Sequence, residues 1–419
     1  MTNPNSQAEP PVRACRFCRR ELRHVFVDLG MSPLCESFLT AGELDRMEPF
    51  YPLLVRVCER CFLVQLQEYV SPSEIFTEYA YFSSYSTSWL KHAEDYTDMA
   101  AERFALDGTS RVVEIASNDG YLLQYFRRRG IPVLGIEPAA NVARVAEERG
   151  VPTLVRFFGR QTAAELTART SQADLIIGNN VLAHVPDIND FVAGLKILLK
   201  PGGVVTMEFP HLWRMIDENQ FDTIYHEHFS YLSFTTVAEI FAAHGLRLFD
   251  VDRLPTHGGS LRIYACHSAD PRPTGPRAES LAAEEIADGF RSIERYASFS
   301  PRVEATKRAL LEFLIEAKSR GESIAAYGAP GKGNTLLNYC GVRSDFVDYA
   351  VDRNPYKHGR FTPGTHIPIF PPERLRETRP DYVLILPWNL KDEIVEQLSY
   401  VRDWGGRFVV PIPTVAIHR

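Results

Sequence analysis

The 419-residue chain lacks any uninterrupted apolar run of about 18 residues, so a helical membrane span is excluded. No apolar stretch follows its basic N-terminal region, so no secretory signal is expected and the expected location is the cytoplasm. A cationic excess is also missing. The net charge is −7 and the Lys and Arg residues are scattered, which argues against a nucleic-acid partner. There is no Gly-x-Gly-x-x-Gly fingerprint and no phosphate-binding P-loop, and the two stretches of strand–helix alternation share no residue-level repeat. What remains is ordinary for a soluble globular protein: 45% hydrophobic and 24% charged, with length for two or three domains. Only seven cysteines occur, and four of them form two Cys-x-x-Cys pairs. In a cytoplasmic chain such pairs point to metal rather than to disulfides.

Those pairs, Cys15-x-x-Cys18 and Cys58-x-x-Cys61, supply the four thiolates that a closed tetrahedral zinc site needs. A structural Zn2+ is therefore expected, with no open coordination position. Cys35, Cys266 and Cys340 are left as packed free thiols. Residues 1 to 12 are polar and proline-rich, and up to about Leu66 the pattern is short and strand-like. Residues 70 to 105 read as helical, with Ser86 or Ser88 as a cap.

From Arg111 strands and helices alternate, which predicts a parallel sheet with helices on both faces. The strands are Val112–Ala116, Val133–Ile136, Leu175–Gly178 and Val204–Glu208. Residues 211 to 234 read as irregular, followed by a helix capped by Thr235 or Thr236. Leu246–Val251 and Ser260–Cys266 read as a hairpin around Thr256-His257-Gly258-Gly259. The proline-rich stretch Asp270 to Pro276 reads as a linker, and helices follow to Arg320. A second α/β unit then begins, with strands Ile324–Tyr327, Phe346–Val351, Tyr382–Leu386 and Phe408–Val410 and a turn Gly328-Ala329-Pro330-Gly331-Lys332-Gly333.

The chemistry concentrates at strand ends. Glu114-Ile115-Ala116-Ser117-Asn118-Asp119-Gly120 follows the first strand, and Glu137-Pro138 ends the second. Glu137 can accept from two ribose hydroxyls, as an acid at that position does in nucleoside-binding α/β folds. The loop has one glycine where a dinucleotide fold needs three, so a pyrophosphate finds little cradle. S-adenosylmethionine, which has no phosphate, suits it better. Glu114 would orient the loop or the methionine amine, and Asn118 and Asp119 would lie beside the sulfonium. The plainer alternative is a generic strand-to-helix turn.

Asn179-Asn180 and His184 follow Leu175–Gly178, at the fourth-strand position of a doubly wound sheet, and face the same crevice. Tyr225-His226-Glu227-His228-Phe229-Ser230-Tyr231 packs two histidines, a carboxylate and two tyrosines into seven residues. A neutral histidine suits proton abstraction and a tyrosine can donate to an oxyanion. A solvated loop is one alternative, and a zinc site from the histidines and Glu227 is a weaker one. The run Tyr79 to Ser86 is a substrate contact or interdomain packing. Lys332 and its glycines could meet a diphosphate at a helix N-terminus, or the last unit could serve packing alone.

The order of these motifs resembles the nucleotide-sugar C-methyltransferase family. It runs through the paired Cys-x-x-Cys, Asp28-Leu29-Gly30-Met31-Ser32-Pro33-Leu34, Tyr81-Phe82-Ser83-Ser84-Tyr85-Ser86, Glu114 to Gly120, Tyr225-His226-Glu227-His228 and Gly328 to Asn334. Within it the chain is most similar to the dTDP-3-amino-4-ketohexose C-3′-methyltransferases. The resemblance implies an α/β protein in three parts: a zinc-binding module (13–70), a Rossmann-like S-adenosylmethionine-dependent methyltransferase domain (71–268) and a C-terminal Rossmann-like domain (269–419). It further implies a dTDP-linked 4-ketosugar substrate and a monomer. Carried over by position, His228 is the base, Tyr225 and Glu227 bind sugar and stabilise an enolate, and Tyr79, Asn180 and His184 line the site. Cofactor contacts fall on Glu114, Ala116, Asn118, Asp119, Gly120, Glu137, Pro138 and Asn179. Lys332, Asn334 and His257 approach the nucleotide. Two other readings stay open: an O- or N-methyltransferase of a small metabolite, and an inactive zinc-anchored binding protein.

Overall fold

The computed structural model describes residues 13–75, 83–85 and 87–418, and three sheets organise them. The first is antiparallel, in the order His24–Ser32, Tyr51–Val57, Val64–Leu66, Ser230–Tyr231. Alternation along Tyr51–Val57 buries Leu53, Val55 and Val57 on one face. Its fourth strand comes from the middle of the chain, so the N-terminal module is tied to the segment that carries His228.

The second sheet has seven strands, in the order Leu246–Leu254, Ser260–His267, Leu199–Pro210, Ala173–Asn179, Val112–Ile115, Val133–Ile136, Thr153–Leu154. The last five of these run parallel, and the 246–254/260–267 hairpin is added antiparallel beside Leu199–Pro210. Val112–Ile115 is buried along its whole length, as a central strand covered by helices on both faces must be. Strand order reverses between Val112–Ile115 and Ala173–Asn179, and a crevice outside the carboxyl ends of strands at such a point is where ligands enter α/β sheets.

The third sheet runs Ile369–Phe370, Tyr349–Val351, Ile324–Tyr327, Tyr382–Ile385, Arg407–Val410 and an antiparallel Ala416–His418. Its core is continuous with that of the N-terminal sheet, and Phe26 stacks on Phe299 at 4.6 Å between centroids. The zinc-ligand cysteines Cys15, Cys58 and Cys61 instead pack with the core of the central sheet. The N-terminal module is thus wedged between the two α/β units.

Several elements differ from expectation. The stretch read as irregular contains a helix, Leu212–Asp217, and the two-residue strand Ser230–Tyr231; both are too short for a periodic signal. Ser233, not Thr235 or Thr236, caps the helix Phe234–Ala243, its side chain accepting from the Thr236 N–H. The expected helical stretch from 70 is a short helix, Pro72–Ile75, and a long one, Thr87–Arg103. Ser88 lies inside the latter, and Ser86 lies outside the described residues. The strand expected over Phe346–Val351 is only Tyr349–Val351. Among the described residues no helix is long and apolar enough to cross a membrane.

Candidate active site

The four knuckle cysteines converge. Their sulfur atoms all lie within 4.8 Å of one another, with Cys15–Cys61 at 3.6 Å and Cys18–Cys58 at 3.5 Å. A tetrahedron with ordinary Zn–S bonds has edges of ~3.8 Å, so the residues fit a zinc ion and leave no open ligand position. Gln65 Nε2 also donates to Cys15 Sγ at 3.2 Å.

At the switch point the Glu114–Gly120 loop turns sharply. Ala116, Asn118 and Gly120 have φ of 56°, 49° and 75°. Only glycine adopts such values freely, so two non-glycine residues hold a strained turn. Its shape is set from beneath. Ala116 N–H donates to the Ile136 carbonyl at 2.7 Å, and Glu137 accepts from the backbone of Asn118 at 3.0 Å and of Ala139 at 2.9 Å. Each Glu137 oxygen keeps a lone pair for a further donor. Gly135 is required by close approach, since a Cβ there would lie 2.4 Å from Ser117 Oγ. Glu114 is fully buried next to Tyr121, and burial raises its pKa well above the usual carboxylate range. Asn179 Nδ2 lies 3.4 Å from the Tyr121 hydroxyl. The buried Oδ1 of Asn180 takes no hydrogen bond among the described residues. A tight loop, an acid at the next strand end and a waiting acceptor fit the adenosine and methionine parts of S-adenosylmethionine.

Asn118 and Asp119 do more than line this crevice. Asn118 Oδ1 accepts from Ser83 N–H at 2.9 Å, and Asp119 binds Ser84 Oγ and Arg149 Nη1, the latter at 2.9 Å. They fasten the Ser83–Tyr85 turn over the loop. Arg149 had no signal in the sequence. Tyr79 lies outside the described residues.

The segment after Thr223 brings His228 against His184. His228 donates from Nδ1 to the Thr223 carbonyl at 2.8 Å, which fixes the tautomer and leaves Nε2 with its lone pair. His184 stands edge-on to it, 4.7 Å between centroids, and Tyr225 packs on it at 4.1 Å. Burial and the neighbouring His184 hold the His228 pKa well below 6.5, while burial takes His184 down to about 4. Both rings are neutral at pH 7. His226 points elsewhere: its Nε2 lies 3.3 Å from the Pro52 carbonyl and its ring meets Tyr51 in the N-terminal sheet. Glu227 is buried with Cys35 Sγ 3.7 Å from Oε1, and burial together with the Glu36 carboxylate pushes its pKa up to about 8.

The C-terminal unit closes one side. Lys332 Nζ donates to Asn389 Oδ1 at 2.7 Å and lies 4.6 Å from the Trp388 ring centroid. Trp388 Nε1 donates to the buried Asp222 at 2.7 Å, and burial raises Asp222 to about 6. His257, at φ 55° in the hairpin tip, meets the ring of Trp89 edge-on at 5.1 Å. Asn334 is turned away from solvent, its Nδ2 donating to the Cys35 carbonyl at 2.6 Å. Gly331 is likewise explained by packing, since a Cβ there would lie 2.9 Å from Cys35 Sγ. A cleft of about 880 Å³ continues outward between the two α/β units, lined by Trp213, Arg214, Arg253, Trp388, Asn389 and Lys391.

One buried ionic group escaped sequence reasoning. Glu208, at the end of Leu199–Pro210, accepts from Arg262 at 2.8 Å, His92 at 2.9 Å and Thr256 at 2.9 Å. Arg262 and His92 come from strand and helix positions that read as surface, so only the fold brings them together.

A parallel sheet with an appended antiparallel hairpin, an acid at the second strand end and a four-cysteine module define a zinc-containing S-adenosylmethionine-dependent methyltransferase. Family profiles match in chain order: "Putative zinc binding domain" over residues 15–76, "Methyltransferase domain" over 89–251 and "C-methyltransferase C-terminal domain" over 255–413. The C-methyltransferase NovU of Streptomyces niveus is 36% identical over 403 residues, spanning 96% of each chain. The chain belongs to this C-methyltransferase family. A ubiquinone biosynthesis O-methyltransferase of Rhodopseudomonas palustris is 27% identical over 97 residues, 23% of this chain and 38% of that one. A solved S-adenosylmethionine-dependent methyltransferase from Clostridium acetobutylicum aligns with a TM-score of 0.36 at 11% identity, covering 43% of this chain and 92% of that one.

Proposed function

We propose that this C-methyltransferase acts, as a monomer, on a dTDP-linked 4-keto-deoxysugar and methylates C-3′ through an enolate. The observation that carries the reading is His228, neutral and locked with Nδ1–H on the Thr223 carbonyl, so that the lone pair of Nε2 is left to act as a base. A 4-keto group acidifies the neighbouring C–H. His228 Nε2 takes that proton, and the electron pair passes to the carbonyl oxygen. Glu227, protonated at neutral pH, and Tyr225 donate hydrogen bonds toward that oxygen and stabilise the charge as it develops. S-adenosylmethionine, when bound, supplies an electrophilic methyl. Glu137, the Glu114–Gly120 loop, Pro138 and Asn179 hold it, and Asn180 and His184 orient the sugar. Lys332 and His257 lead to the cleft between the units, whose volume suits a nucleotide; its Arg214, Arg253 and Lys391 are each paired with a carboxylate, of Glu218, Glu284 and Asp392, which a diphosphate would have to displace. Asn334 acts on this site by anchoring the Cys35 loop beneath Glu227.

The test is incubation with S-adenosylmethionine and a dTDP-4-keto-6-deoxyhexose in deuterated water. Methylated product is expected, and without the cofactor the C-3′ proton should exchange for deuterium. Methyl transfer only to a hydroxyl acceptor would sink the reading, and a fully active His228→Asn variant would remove the base.

A further inference from the structure

We propose that Arg16, inside the first zinc knuckle, is a positioning residue for the His184–His228 pair. The inference rests on the reading of His228 as base. Arg16 is held from two sides: its N–H donates to Gln65 Oε1 of the zinc module at 2.9 Å, and Asn189 Nδ2 of the central unit donates to its carbonyl at 3.0 Å. The side chain then leaves the knuckle. Nη1 donates to the Pro186 carbonyl at 3.0 Å and reaches Val185 at 3.5 Å, and Nη2 donates to the Leu66 carbonyl. The guanidinium also lies over the Phe229 ring, 5.4 Å from its centroid.

These contacts are the flanks of the two catalytic segments. Val185 and Pro186 follow His184, and Phe229 follows His228. Phe229 N–H donates to the Ala183 carbonyl at 2.8 Å, and Leu66 N–H donates to the Phe229 carbonyl at 3.0 Å. One guanidinium fork therefore closes a ring of three segments that backbone hydrogen bonds also join. Its partners are carbonyl dipoles and an aromatic face, and among the described residues no carboxylate forms an ion pair with it. A planar fork with several donors in fixed directions suits this arrangement, whereas the point charge of a lysine reaches one carbonyl at a time.

The experiment uses zinc-loaded, full-length wild type, Arg16→Gln and Arg16→Lys. Zinc content, the dissociation constant for S-adenosylmethionine, KM and kcat with a dTDP-4-keto-6-deoxyhexose, and 15N spectra of the imidazoles are measured. Arg16→Gln should keep its zinc and its cofactor affinity while kcat falls about 100-fold at little-changed KM, the scale expected when reacting groups shift by about 1 Å. Its His228 signals should show a second tautomer, and Arg16→Lys should recover part of kcat. Unchanged imidazole signals, or a kcat loss that follows zinc loss in both variants, overturns the proposal. If Arg16→Gln does not fold, Arg16→Lys decides by the same readings. Should the wild type transfer no methyl to the ketosugar, the functional reading fails, while the imidazole spectra still decide whether Arg16 positions the pair.

Discussion

Replacing Glu227 with glutamine should flatten the alkaline side of the pH–rate profile. Burial and the nearby Glu36 carboxylate raise Glu227 to about 8, against an ordinary 4.5. That difference corresponds to ~5 kcal/mol in favour of the neutral acid, and at pH 7 roughly nine in ten of these carboxyls carry their proton. A neutral acid donates a hydrogen bond to an oxygen gaining charge, whereas its anion repels it. Wild-type kcat should therefore decline as pH rises through about 8. The glutamine amide also donates but does not titrate. Glu227→Gln should stay within about tenfold of wild type and lose the alkaline decline, while Glu227→Ala should fall ~100-fold. On the acid side the base must be unprotonated, and His228 titrates well below 6.5, so no decline is expected near 6.5 itself. Initial rates of methyl-sugar formation, separated by chromatography across the pH range, give the profile. An alkaline decline that persists unchanged in Glu227→Gln, or a glutamine variant as inactive as alanine, refutes the reasoning.

Removing the zinc with a strong chelator, or by Cys58→Ser, should lower the melting temperature by more than ~5 °C and abolish activity. The reason is that Val64–Leu66 of the zinc module pairs with Ser230–Tyr231 beside His228, and thermal-shift and turnover measurements check it. Glu208→Ala should destabilise the protein by about 3–5 kcal/mol in chemical denaturation, since it leaves Arg262 buried without its anion. Gly135→Ala should weaken S-adenosylmethionine binding about tenfold by calorimetry, because the added methyl pushes Ser117 and the strained loop. Ser117→Ala in the same chain should restore part of that affinity, since the closest contact, at 2.4 Å, is with Ser117 Oγ.

Much of the architecture was legible along the chain. Apolar strands spaced by helices announce a parallel sheet, and the central strands and the hairpin lie close to where periodicity puts them. The four cysteines announce their cluster because metal-ligand spacing is a local property. Short elements were not legible: Leu212–Asp217 and Ser230–Tyr231 offer too few residues for a period to emerge. The Tyr225–His228 segment stood out by composition, yet nothing in its order separated His226, whose ring faces Pro52, from His228, whose ring faces His184.

The sequence by itself determined the classes of element, the zinc ligands, the strand-end acid at Glu137 and the concentration of titratable groups near His228. These follow from spacing and residue chemistry, which act within a few residues. Tertiary structure alone decided which groups share a site. It placed Lys332 and Trp388 against Asp222, joined Glu208 to His92 and Arg262, turned Asn334 toward Cys35, and ran Arg16 from the zinc knuckle to the flanks of His184 and His228. Those contacts depend on three packed sheets, and sequence separation carries no record of them.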